Sequence, residues 1–334
     1  MSLSQVSDGG VSGDFEHPNA NLRRAVIVAL YFAFILSTVS VVLRLVARRI
    51  TGTGLLLDDY LIVAALLFKY GCSIGVVILL FNGMGSHITT IPPENLEVYM
   101  KIGWSNPFVY TTCIALIKLS VLALYKRLFT TQRMYVAVNV VASFIILWTL
   151  SIYIVGVLQC LPVNKFWNRE IEGTCIDPAM FFYGMQIPNI LTDAVLLVMP
   201  LKPVWSLPVS KSQRALLSFV FLVGILTLIF DIIRLVAMIQ FTHSGPDITY
   251  NQVPFVVWTC IEAAVGITAA CLSNLRPLFR LGQRDFWSQA RQSAGHSKEE
   301  LNKSQDLSLE GSSIRYVQGG IYTRHSVSIQ HEEA

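Results

Sequence analysis

The sequence predicts an all-α polytopic membrane protein, a bundle of seven transmembrane helices. Three observations carry that reading. Apolar residue types make up 53% of the chain and charged ones only 14%, where a soluble domain carries about 25% charged. Seven apolar windows each approach the ~20 residues needed to cross a hydrocarbon core about 30 Å thick. The windows do not alternate as barrel strands do, and a bilayer offers backbone amides no partner outside their own helix.

The windows follow in order. The first, near Ala25 to Val46, comes after a polar, acidic stretch with no basic start and no apolar leader segment, so it serves as its own insertion signal. The second runs from Tyr60 to Phe81 and the third from Ile102 to Leu124, which includes Pro107. The fourth covers Met134 to Leu158, and the fifth covers Met180 to Leu201 around Pro188. The sixth spans Ala215 to Phe241, and the seventh, opening at Pro254, spans Val253 to Leu272. Each of these prolines frees a backbone carbonyl and can kink its helix. The resulting organisation is a tail over residues 1–24, a membrane domain over 25–278 and a tail over 279–334. The last tail is rich in Ser, Gln, Lys, Glu and Gly and cannot bury enough apolar surface to fold.

Sidedness comes from the basic residues. Arg44, Arg48, Arg49, Lys126, Arg127, Arg133, Lys202, Lys211, Arg214, Arg276, Arg280 and Arg284 fall on one side. Arg23, Arg24, Lys101, Lys165 and Arg169 fall on the other, so the amino end is expected outside and the carboxyl end in the cytosol. The formal charge of +4 therefore reports orientation, and no nucleic-acid partner is expected. Cys160 and Cys175 flank the loop after helix 4 on the expected oxidising side, where a disulfide is favoured over two free thiols. Cys72, Cys113, Cys260 and Cys271 lie within helices and read as small buried apolar groups. The sequon Asn302-Lys303-Ser304 falls on the cytosolic side and should stay unmodified.

Besides Arg44 at the cytosolic end of the first window, six ionisable side chains lie inside the windows: Lys69, Lys118, Asp193, Asp231, Arg234 and Glu262. Each costs about 2.5–3.5 kcal/mol at a helix centre, so they should face inward or pair. Depth along the helices matches Lys118 with Asp193 and Lys69 with Glu262, while Asp231 and Arg234, three apart, share a face. Lys118 and Arg234 can alternatively snorkel toward the interfaces. Lys118, Asn189, Asp193 and Glu262 are the candidates for a polar ligand pocket, against a purely structural network. Trp104, Phe181, Phe182, Tyr183, Trp205 and Tyr250 lie near helix ends and read as interfacial belts.

No catalytic constellation emerges. The histidines all fall in loops or tails without metal spacing, and neither a nucleophile elbow nor a dinucleotide fingerprint is present. A retinal Schiff base needs a buried lysine; opsins carry it on helix 7, which has none here, so no cofactor is expected.

Several segments nevertheless carry a specific order: Arg44 with Asp58-Asp59-Tyr60, Gly83 to His87, Lys118-Leu119-Ser120 with Tyr125 to Phe129, Gln159 to Pro162, Phe166-Trp167 and Gly173 to Cys175. Asn189, Asp193, Pro200 to Trp205, Asp231 to Leu235, Ile261-Glu262 and Leu275 to Leu278 continue it. In these the chain resembles the fungal rhodopsin-like integral membrane proteins, the family of the satratoxin-cluster membrane protein and the Pth-class receptor-like proteins. The resemblance implies receptor-like topology and an association with secondary-metabolite gene clusters. The chain departs from the Pth class in lacking cysteines in its amino-terminal tail, and from familiar receptors in ending helix 3 with Tyr125-Lys126-Arg127 and helix 7 with Asn274-Leu275-Arg276-Pro277.

Two functions follow as expectations. One is a receptor-like protein that holds a small ligand between helices and signals to a cytoplasmic partner, with Ser326 and Ser328 as tail phosphorylation candidates. The other is a membrane enzyme of terpenoid or other secondary metabolism using Glu262 or Asp193 as a desolvated acid, or else a scaffold or transport accessory of such a pathway.

Overall fold

A computed structural model describes residues 20–52, 54–129, 131–168, 170–201, 211–243 and 247–274. The expected tails, Trp205, Ser326, Ser328 and the sequon at Asn302 lie outside the described residues. Residues 20–24 are the exception, since they already belong to the first helix.

Seven helices are long and apolar enough to span a membrane. We label them α1 (Ala20–Ile50), α2 (Leu57–Phe81), α3 (Pro93–Leu128), α4 (Gln132–Val157), α5 (Pro178–Val198), α6 (Lys211–His243) and α7 (Val253–Asn274). A one-turn helix, Ile248–Asn251, precedes α7, and Pro254 stands just past the turn at Gln252 that separates the two. Consecutive helices pack side by side, and α7 closes the ring against α1. The long third helix runs through the interior, touching α2, α4, α5 and α7. Its inward residues Ile114 and Ile117 join Ile62 of α2 and Ile267 of α7 in one apolar core. Phe32, Leu67, Leu147, Leu191 and Leu222 point away from that core and stay exposed, a pattern that suits lipid and not water.

Two features fix the ends of the bundle. At one end, β1 (Cys160–Leu161) and β2 (Thr174–Cys175) pair antiparallel with Cys160 opposite Cys175, and a disulfide joins the two cysteines. Gly83 closes the nearby α2–α3 turn at φ 107°, a left-handed conformation that side chains rarely adopt.

At the other end, Arg44 and Arg48 of α1 grip Asp58 and Asp59 at the start of α2. Arg44 reaches Asp59 Oδ1 at 2.9 Å and Asp58 Oδ2 at 2.8 Å, and Arg48 reaches Asp58 Oδ2 at 2.7 Å and Asp59 Oδ2 at 3.1 Å. The Leu56 N–H donates to Asp59 Oδ2, a carboxylate placed where the α2 dipole favours it. Arg44 also donates to the Ala270 carbonyl on α7, and Ser120 on α3 donates to the Asp58 carbonyl, so four helices meet at this cluster.

Phe181 and Phe182 depart from the expected interfacial belt. Phe181 is buried in the core, and Phe182 stacks edge-on against Phe181 and Phe255. Proximity to a helix start does not reveal which way the helix is turned, and both rings face the interior.

Candidate functional site

The polar interior is assembled from stripes at helical spacing. On α5, Gln186, Asn189 and Asp193 recur at three and four residues, with Thr192 beside them; on α3, Tyr110 and Lys118 share a face two turns apart. Asp231 and Arg234 come from α6, and Thr259 and Glu262 from α7. All of these except Thr259 and Asp193 are almost fully buried.

Pro188 frees a carbonyl beside them. Pro188 has no N–H to give the Gly184 carbonyl four residues earlier, and Trp148 Nε1 of α4 donates to that carbonyl at 3.1 Å. One turn on, the Asn189 carbonyl accepts from Lys118 Nζ at 2.7 Å.

Lys118 is fully engaged. Its ammonium lies 2.9 Å from Asp193 Oδ2 and donates to Thr192 Oγ1 at 2.6 Å as well as to the Asn189 carbonyl, which accounts for all three N–H groups. Glu262 collects donors from two helices: Tyr110 Oη at 2.6 Å and Asn189 Nδ2 at 3.0 Å, both on Oε1. Arg234 Nη1 stands 3.0 Å from Glu262 Oε2 and forms an ion pair with it. Arg234 also donates to Thr259, Tyr110 and Gln186.

Two expected pairs do not form. Lys69 makes no ion pair with Glu262 among the described residues; its Nζ is buried without a hydrogen-bond partner, 5.8 Å above the rings of Phe34 and Tyr70. Asp231 does not pair with Arg234 either, because Arg234 turns to Glu262 and Tyr110. Helix order and depth set which residues are near, whereas rotation about the helix axis decides which of them touch.

These groups border a cavity of about 140 Å³ between α3, α5, α6 and α7, running from mid-bundle toward the arginine-rich end. Lys118, Asp193, Asp231 and Glu262 lie on its wall; Asn189 sits behind them, bonded to Glu262. The remaining lining is apolar, including Ile117, Leu196, Leu197 and Phe221, with Gly224 and Gly266 supplying width. A smaller cavity of about 50 Å³ lies beyond Tyr110 and Arg234, toward the disulfide end. Tyr110, Gln186, Thr192 and Thr259 were not among the candidates from sequence. The signal for Gln186, Thr192 and Thr259 is polar residues recurring at three or four residues from Asn189, Asp193 or Glu262 on helices that are otherwise apolar, while Tyr110 stands two turns from Lys118.

Comparison with known proteins adds a family. The fungal rhodopsin domain family matches residues 43–281. A polyenoic acids biosynthesis gene cluster protein, Ba17b of Metarhizium anisopliae, is 32% identical over 273 residues, 77% of this chain and 73% of that protein. An SAT4 family membrane protein of Emericella nidulans is 29% identical over 71% of this chain and 60% of its own length. The receptor GIN3 of Arthrobotrys oligospora is 24% identical over 76% of this chain and 62% of its own length. Other relatives also carry the names of biosynthesis cluster proteins. No solved structure matches the chain.

Proposed function

This chain belongs to the fungal rhodopsin domain family of multi-pass membrane proteins, many of them from secondary-metabolite clusters, and we propose that it is a receptor-like member that senses a small molecule inside its helix bundle. The observation that carries this reading is the cavity between α3, α5, α6 and α7, apolar over most of its wall with a few convergent charged groups at its inner end. That composition suits a small ligand with an apolar body and one polar head. At about 140 Å³ it is the size that, in an apolar protein interior, takes up a benzene-sized molecule.

With the amino end outside, the cavity lies in the cytosolic half of the membrane. A ligand then reaches it from the cell interior, which fits a sensor of a metabolite made by the same cell. The four-helix cluster at Arg44, Arg48, Asp58 and Asp59 borders the same half and offers a route from an occupied cavity to a cytoplasmic partner. The relative named as a receptor supports the reading without fixing the ligand.

The test is uptake of small lipophilic compounds by the purified protein in lipid nanodiscs, followed by its thermal unfolding. Compounds that fit should raise the melting temperature of wild type and leave Gly266→Leu, whose side chain fills the cavity, unmoved. Mass spectrometry should recover the compound unchanged. Conversion of it to a product that Glu262→Gln abolishes would favour the intramembrane-acid reading, and absence of any cavity-dependent binding would remove the receptor reading.

A further inference from the structure

We propose that the ligand of this cavity is a monocation, a protonated amine on a small apolar body, with its N–H groups donated to Asp231 and Glu262. This rests on the internal-ligand reading above and narrows it to a chemical class. Three carboxyl groups, Asp193, Asp231 and Glu262, stand on the cavity wall. Among the described residues two basic groups answer them: Lys118, bound to Asp193, and Arg234, beside Glu262. Lys69, the third buried basic residue, is absent from the cavity wall and forms no ion pair among the described residues. Without a ligand the third carboxyl is balanced only by a proton shared between Asp231 and the carboxyls of Glu262 and Asp193 in hydrogen-bond contact with it, a place that an ammonium group would take.

The unused valences agree with the charge count. Asp231 is 2% exposed, and its Oδ2 has no hydrogen-bond partner among the described residues. Asn189 Oδ1 is likewise a buried acceptor that receives no hydrogen bond, and Glu262 Oε2 has only Arg234 Nη1 beside it at 3.0 Å. Lys118, the basic residue on the wall, has no N–H to spare. Apart from that one proton, the site has more acceptors than donors. An anionic ligand would meet three carboxyls and no free N–H. A neutral alcohol would fill one acceptor and leave the shared proton in place. Among the described residues these carboxyls do not gather with the spacing of a metal site. An ammonium group supplies both what the charge count and what the open acceptors require, and Ile117, Leu196, Leu197 and Phe221 receive its apolar body.

Three probes sharing one ring separate the possibilities: phenethylamine, phenethyl alcohol and phenylpropionate, each titrated into the full chain in nanodiscs at neutral pH. Wild type should bind the amine about tenfold or more tighter than the alcohol and bind the acid more weakly still. Asp231→Asn removes the third carboxyl and should cost the amine about tenfold while leaving the alcohol within about twofold. Gly266→Leu should abolish binding of amine and alcohol together. Equal binding of amine and alcohol to wild type would overturn the cation assignment, a proton then balancing the charge, while leaving the internal-ligand reading in place. Binding of none of the three, or binding insensitive to Gly266→Leu, would overturn both. Should Asp231→Asn fail to fold, the wild-type ranking of the three probes still decides.

Discussion

Glu262 owes its place to groups from three other helices: Tyr110 on α3, Asn189 on α5 and Arg234 on α6. In so apolar a setting the pair with Arg234 adds little net stability over an apolar replacement, yet losing one partner strands the other charge. Arg234→Met should therefore destabilise the protein by about 3–5 kcal/mol in equilibrium unfolding from detergent micelles. Adding Glu262→Gln should restore a large part of that loss, because the neutral amide still accepts from Tyr110 and Asn189 without carrying an orphaned charge. Equal stability of the single and double variants would show that the charge is compensated elsewhere. At this scale the sequence made the cast visible and hid the pairing. Six ionisable residues in apolar windows cannot be missed, and Lys118 and Asp193 are at matching depth, but Lys69 faces Phe34 and Tyr70 where depth alone matched it to Glu262. Rotation of α2 about its axis is set by packing, which periodicity in an almost wholly apolar helix does not record.

Among the elements, the helices were legible because span length and hydropathy are imposed by the bilayer, whereas the short structures at the disulfide end depend on local contacts. The β1–β2 pair is one of these. Gly173 lies so close to β1 that a Cβ there would strike the Leu161 carbonyl oxygen, a backbone atom with no freedom to move aside. Gly173→Ala should open the pair and reduce the fraction of molecules carrying the Cys160–Cys175 disulfide, read by mass shift after alkylation. Cys175→Ser, which releases a loop with a sequence separation of 15, should cost about 3 kcal/mol in the same unfolding assay. A second local contact joins the α2–α3 turn to the start of the one-turn helix. Asp247 Oδ2 lies 3.0 Å from His87 Nδ1, and its Oδ1 accepts from the Ile88 N–H at 3.3 Å. The bond to His87, then that to the Ile88 amide, holds the Asp247 carboxyl below its ordinary pKa of 3.8. A depressed carboxyl stabilises the fold in full above the ordinary value and stops doing so as pH falls through the folded one. Exchange of the Ile88 segment, corrected for intrinsic rates, should thus be flat from neutral pH down to about 5 and rise below about 4. Asp247→Asn should show the raised exchange already at neutral pH, and a profile identical to wild type would deny the contact any role in holding the turn.

For the molecule as a whole, the fold bears on which end faces the cytosol. Arg44 and Arg48, two of the basic residues counted toward the cytosolic side, are buried against Asp58 and Asp59 and serve to join helices. The bias that remains near this end comes from Arg49, Lys126, Arg127 and Arg133 together with the basic residues of the segments beyond α5 and α7. Acidic residues contribute little to the positive-inside bias, so the bias still points to this end being cytosolic. The loop at the opposite end allows a direct check. Asn168 is exposed there, and Glu170→Ser completes an Asn-x-Ser acceptor around it without touching the membrane spans. Expressed in a fungal host, this variant should gain a glycan removable by endoglycosidase, while the native acceptor at Asn302 stays bare. A glycan on Asn302 with none on Asn168 would invert the protein. The α3/α5/α6/α7 cavity would then occupy the outer half of the bilayer, and its ligand would have to arrive from outside the cell instead of from its own metabolism.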